Sequence, residues 1–165
     1  PGEAARQTMA RLAEFTGETH TANLREIFQE LASNPQVLIV FNHPNWDEKG
    51  IGPEAHRETA RRFATLYRPY LHAFELNGLR PWSENRTVLD LARMFEKPLI
   101  SGGDRHANEP NTLLNLTNAS SFAEFVSEVR DGMSDVFITD QYSEPLSMRI
   151  LHSLEEILEI GRAHV

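Results

Sequence analysis

The chain of 165 residues contains no cysteine. That excludes disulfides, cysteine-ligated zinc, iron–sulfur clusters and thiol nucleophiles. Lysine is scarce as well: of 16 basic residues, only Lys49 and Lys97 are lysines. The arginine skew fits a GC-rich coding sequence, so a single arginine is a weak functional signal. Long apolar runs are missing too. The longest, Val37–Phe41, is far too short to span a bilayer, and the start carries no signal-peptide pattern. The expectation is a cytoplasmic protein with no membrane partner. Acidic residues outnumber basic ones 24 to 16, giving a formal charge of -8. Such a surface repels phosphate backbones, so no nucleic-acid partner is expected. No Gly-x-Gly-x-x-Gly, Walker A or Gly-x-Ser-x-Gly pattern occurs. The Asn-x-Ser/Thr matches at Asn85, Asn115 and Asn118 are at chance level.

What is present is globular: 40% apolar and 24% charged residues, enough for one domain with a core. Short buried-type runs alternate with segments of helical period. Leu24, Ile27, Phe28 and Leu31 give a helix that stops before Pro35. Val37–Phe41 reads as a strand, and the Ala60, Phe63, Ala64, Tyr67, Leu71 stripe as a helix whose first turn suits Pro53. Ala73–Leu76 reads as a strand, Val88, Leu91, Ala92 and Phe95 as a helix face, and Pro98–Ser101 as a third strand. Ser121-Phe-Ala-Glu124 is a capping-box pattern opening another helix, stopped by Gly132. Val136–Thr139 reads as a fourth strand, and Ile150, Leu154, Ile157 and Leu158 as a last helix. Alternation of this kind predicts an α/β protein with a parallel sheet, because parallel strands need helical crossovers. An open doubly wound sheet and a segment of a (β/α) barrel both fit. About four strands are too few to close a barrel.

In either architecture, active residues gather past the C-terminal ends of the strands. The first strand runs into Asn42-His43-Pro44, the second contains Glu75, and the third runs into Gly102-Gly103-Asp104-Arg105-His106. These groups lie about one βα unit apart, so neighbouring strands bring them together. Asp104 and His106, two apart in extended backbone, point the same way and can share an ion. Imidazole with carboxylate suits zinc, manganese or iron. The plain alternative is a glycine turn followed by a solvated Asp-Arg-His. Glu75 has three readings: a ligand, a group that orients a ligating histidine from behind, or a partner of Arg80. His20, His56, His72 and His152 are assigned solvated or packing roles. Arg57, Arg61, Arg62 and Arg68 are assigned to a solvated helix face.

Taken together, Leu38-Ile-Val-Phe-Asn-His-Pro44, Ala73-Phe-Glu-Leu-Asn-Gly78 and Leu99-Ile-Ser-Gly-Gly-Asp-Arg-His106 resemble the C-terminal half of the PHP (polymerase and histidinol phosphatase) family, over roughly residues 20–140. The resemblance implies a distorted (β/α) barrel holding two or three divalent metals, zinc, manganese or iron. It also implies hydrolysis of a small-molecule phosphate ester by metal-activated water. It makes His43, Asp104 and His106 metal ligands, and Glu75 the frequent acidic residue of a late strand. Arg105 and Arg80 are the candidate phosphate clamps by charge and position. The family's early His-x-His pair is absent. The expectation is therefore an incomplete PHP-like domain over residues 1–158, a truncated hydrolase with little activity of its own. The alternatives are a degenerate PHP-like structural or interaction module, and a different metal hydrolase on a related barrel. The tail Glu159–Val165 back-translates readily to a common sequencing-adapter string and is expected to be non-native.

Overall fold

The computed structural model describes residues 3–17, 24–102, 112–145, 147–149, 151–152, 154–155 and 158. Three parallel strands form its centre: β1 (Val40–Phe41), β2 (Ala73–Leu76) and β3 (Leu99–Ser101), in the order β1-β2-β3. Phe41 aligns with Phe74, and Glu75 with Ile100. Two helices connect them, α3 (Pro53–Tyr67) and α4 (Trp82–Phe95), preceded in the chain by α1 (Glu3–Gly17) and α2 (Leu24–Ser33).

Side-chain alternation along β2 divides the core. Phe74 and Leu76 point into a cluster with Ala64 and Tyr67 of α3 and Val88, Leu91 and Phe95 of α4. Ala73 points the other way, toward Ile100 and Val129, with Phe125 packed alongside. The second cluster is capped by α5 (Phe122–Arg130). Both faces of the short sheet are therefore covered, which explains why all four residues of β2 are buried. Aromatic edges tie α2 to this core, with the Phe28 ring 5.0 Å from Tyr67 and perpendicular to it. Arg130, at the end of α5, donates to the carbonyls of Ala32, Asn34 and Val37, satisfying backbone acceptors at the end of α2 and just after it.

Two expectations need correction. A further strand, β4 (Leu113–Leu116), lies in a stretch to which the sequence reading assigns no element. It pairs with β5 (Asp135–Ile138) in an antiparallel ladder, separate from the parallel sheet. Helical connections are necessary for parallel pairing but do not force it: here α5 links two antiparallel strands. The first strand is also shorter than Val37–Phe41. Ile39 instead gives its N–H to the His72 ring and its carbonyl to the His72 N–H. Two side chains bridge the sheets, Asn115 of β4 and Ser101 of β3, whose Oγ donates to the Leu113 carbonyl at 3.2 Å. The Asn115 amide accepts the Ser101 N–H at 2.8 Å and donates to the Ser101 carbonyl at 2.9 Å, completing the edge of β3 as another strand would.

Helix limits follow the sequence closely. Pro53 opens α3. Ser121 Oγ accepts the Glu124 N–H, as the capping pattern requires, but the Glu124 carboxylate reaches back to Ser120. Among the described residues no helix is long and apolar enough to cross a membrane. Of the last helix pattern, Ile150 and Ile157 lie outside the described residues, while Leu154 and Leu158 are exposed. The tail 159–165 lies outside the described residues as well.

Candidate functional site

The C-terminal ends of β1, β2 and β3 form one rim. At the end of β1 the chain turns through His43-Pro44-Asn45-Trp46, closed by the Trp46 N–H on the His43 carbonyl at 3.0 Å. His43 holds φ at 28°, a left-handed backbone that a non-glycine residue adopts only when its surroundings compel it. One group that holds this backbone is Glu75. Its side chain leaves β2 on the same face as Ala73, is fully buried, and accepts the His43 N–H on Oε2 at 3.0 Å. Of the three readings of Glu75, the partner of Arg80 is overturned: the Arg80 guanidinium is forked onto Glu84, at 2.8 and 3.2 Å. Among the described residues, the contact Glu75 makes to the site is with the backbone of His43.

The His43 ring stands edge-on to Trp46, centroids 5.1 Å apart. Arg80 lies over the Trp46 ring, its guanidinium carbon 5.0 Å from the ring centre. His43 and Arg80 thus both contact Trp46, just past the ends of β1 and β2. The loop beyond is fixed by Asp47, whose carboxylate accepts the N–H groups of Ile51 and Gly52. His56 closes the same loop through Nε2 on the Pro44 carbonyl at 3.0 Å.

After β2, the turn Asn77–Arg80 is held by a buried polar network. Asn85 of α4 accepts the Asn77 N–H and donates to the Asn77 carbonyl and to the Tyr142 hydroxyl. Tyr142 in turn donates to the Arg80 carbonyl at 2.7 Å. Burial pushes the Tyr142 phenol above its usual range, so it stays protonated and able to donate. Tyr142 belongs to a single 3₁₀ turn, Asp140–Ser143, that follows β5. After β3, Gly102 takes φ 101°, a turn conformation natural to glycine, and leads into the next segment.

Asp104, Arg105 and His106 lie outside the described residues. Of the expected ligands, His43 is therefore the one placed, at the rim. Among the described residues no three His, Asp or Glu side chains gather as a metal-holding group. The other described histidines, His56, His72 and His152, have partners of their own. His72 accepts the Ile39 N–H on Nδ1. Burial, with Arg130 and Lys97 nearby, holds its pKa down at about 4. His152 sits 3.2 Å from Glu144, and His20 lies outside the described residues. On the α3 surface, Arg61 and Arg68 pair with Glu58 and Glu96.

Sequence reasoning missed Asn77, Asn85, Tyr142 and Arg149. Asn85 appeared only as a chance glycosylation match, and its burial was signalled only by its place on the apolar side of α4 beside Val88. Tyr142 and Arg149 come from beyond β5, and no local pattern marks them. Comparison with protein families, with curated proteins and with solved structures finds no match to this chain.

Proposed function

We propose that this chain is the C-terminal half of a PHP-type, metal-dependent phosphoesterase whose strands belong to a distorted (β/α) barrel. The observation that carries the reading is the grip of Glu75 on His43. A fully buried carboxylate in mid-strand is costly, and here it fixes the backbone of a rim histidine in an unfavourable conformation. That expense is well matched to a ring whose direction matters. Histidine ligands are commonly held in place by groups behind them, and Glu75 would act on this one through its backbone.

The donor set fits a divalent metal. The imidazole of His43 is half-buried at a strand end, and Asp104 with His106 follow the next strand but one in sequence. Those three residues would hold the ion, which when bound supplies a water of lowered pKa and a Lewis acid for a phosphoryl oxygen. Within the chain, Glu75 holds His43, Trp46 screens one side of the imidazole, and Arg80 supplies a positive charge beside them. Arg80 is thus retained as a phosphate clamp, while Arg105 lies outside the described residues.

The test is metal-supplemented phosphate release from a generic aryl phosphate by the intact protein. Asp104→Ala and His43→Ala should each lower it by orders of magnitude while leaving the thermal midpoint nearly unchanged. Equal rates in wild type and variants would refute the reading. A non-catalytic module of the same fold is the alternative, favoured by the missing His-x-His pair. It predicts no metal-dependent turnover in any form of the protein.

A further inference from the structure

Beside the His43 rim lies a cleft of about 510 Å³, lined by Arg80, Trp82, Ile138, Tyr142 and Arg149 among others. Arg149 is its unusual member. The residue is only 7% exposed, yet it is a permanent cation. Its Nη1 donates to the Gly78 carbonyl, its guanidinium carbon stands 5.2 Å from the centre of the Tyr142 ring, and its buried Nε has no partner. Among the described residues, no carboxylate forms an ion pair with it. Of two acids in this region, Glu84 is engaged by Arg80, and Glu144 lies 3.2 Å from His152 with its buried Oε2 making no hydrogen bond. A buried cation without a counter-charge is expensive, and folds keep such groups where an anion completes them.

The second wall carries Arg80. Glu84 binds its Nε and Nη2, leaving Nη1 outside that fork. Two guanidinium groups and one carboxylate leave the cleft with an excess positive charge, on a chain whose overall charge is -8. The remaining lining is flat and apolar: the Trp82 and Tyr142 rings, 6.3 Å apart and near perpendicular, with Ile138.

We infer that this cleft binds the oxyanion, phosphate or carboxylate, of a small ligand with a flat apolar body. Arg149 supplies the counter-charge and Trp82 and Tyr142 pack against the body. Because Arg80 joins the cleft to Trp46 and His43, the ligand would lie along the rim proposed above to be catalytic. Calling it a substrate rests on that proposal, whereas its binding does not.

The experiment uses the full chain carrying Trp46→Phe, so that Trp82, the other tryptophan of the two, is the fluorescent reporter. It is run in chelator to separate anion binding from metal binding. Phenyl phosphate, benzoate and the neutral benzyl alcohol are titrated in turn. The expected result is saturable change in Trp82 emission with phenyl phosphate, benzoate or both, and none with benzyl alcohol. Affinity should fall by about tenfold or more in Arg149→Gln, the loss of a charge-assisted contact, and be unchanged in Arg61→Gln, on the α3 surface. Arg80→Gln, on a half-buried side chain, should weaken binding similarly and serves if Arg149→Gln does not fold. Absence of saturation with both anions, equal response to benzyl alcohol, or undiminished affinity in a folded arginine variant would overturn the inference. Failure of the metal reading alone leaves anion binding standing.

Discussion

A carboxylate in the middle of a parallel sheet must be satisfied locally, and Glu75 is satisfied at least in part by the N–H of His43. Glu75→Gln keeps an acceptor in the same place and should be tolerated. Glu75→Ala removes it, takes the Oε2 acceptor away from the His43 N–H and opens a hole beside Ala73. It should cost about 2–4 kcal/mol by urea denaturation. Equal stability of the Ala and Gln variants would show that the contact does not matter. His72 makes a second prediction. Its pKa is about 4 in the fold against 6.5 for a free histidine, burial being the largest cause. The neutral ring is the folded form, so the unfolded chain takes up the proton first as pH drops. The contribution of His72 is complete above pH 6.5 and is lost progressively as pH falls toward 4. Thermal midpoints between pH 7 and pH 5 should decline less steeply in His72→Asn, which offers an uncharged acceptor to Ile39. Parallel pH profiles for the two proteins would contradict this assignment. Residues of this kind were only partly legible. His43 stood out because it follows a strand end, and Glu75 because it is a carboxylate within a buried-type strand. His72 did not, because its role depends on one backbone N–H that lies 33 residues away in the chain.

The elements were more legible than their pairing. The apolar stripes of α3 and α4 match their buried residues, Ala60, Ala64 and Tyr67 on one and Val88, Leu91, Ala92 and Phe95 on the other. The Ser121 cap marks the start of α5. Strands β4 and β5 were harder because neither is buried as a run. Leu114 and Leu116 are exposed, as is Phe137 across the ladder, so the hydrophobic signal is spread over both faces. Their attachment to the parallel sheet uses Asn115 together with the Ser101 hydroxyl, and the local sequence of Asn115 suggests nothing of the sort. Asn115→Ala should leave the Ser101 N–H and carbonyl unpaired and cost about 2 kcal/mol. By contrast, Ser121→Ala should cost about 1 kcal/mol, the usual value of an N-cap. Chemical denaturation of the two variants checks the ranking. A smaller loss for Asn115→Ala than for Ser121→Ala would mean that the two sheets are held together by other contacts.

At the scale of the molecule, alternation of strand and helix predicted an α/β protein, and a three-stranded parallel sheet with helices on one face and α5 on the other bears that out. The antiparallel pair breaks the alternation, and no period in the sequence announced it. The rim was legible because parallel strands put their C-terminal ends on one side, so residues far apart in the chain become neighbours. The neighbouring anion cleft was not, since it assembles Arg80, Tyr142 and Arg149 from three separate segments. The central claim is that His43, at the end of β1, shares a divalent metal with Asp104 and His106. The most direct measurement is anomalous diffraction from crystals of the full chain grown with zinc, with His43→Ala as control. The account predicts an anomalous peak about 2.0–2.2 Å from an imidazole nitrogen of His43 and from a side-chain donor of Asp104 or His106, and its loss in His43→Ala. Zinc bound elsewhere, or bound at the rim with no His43 contact, would contradict it.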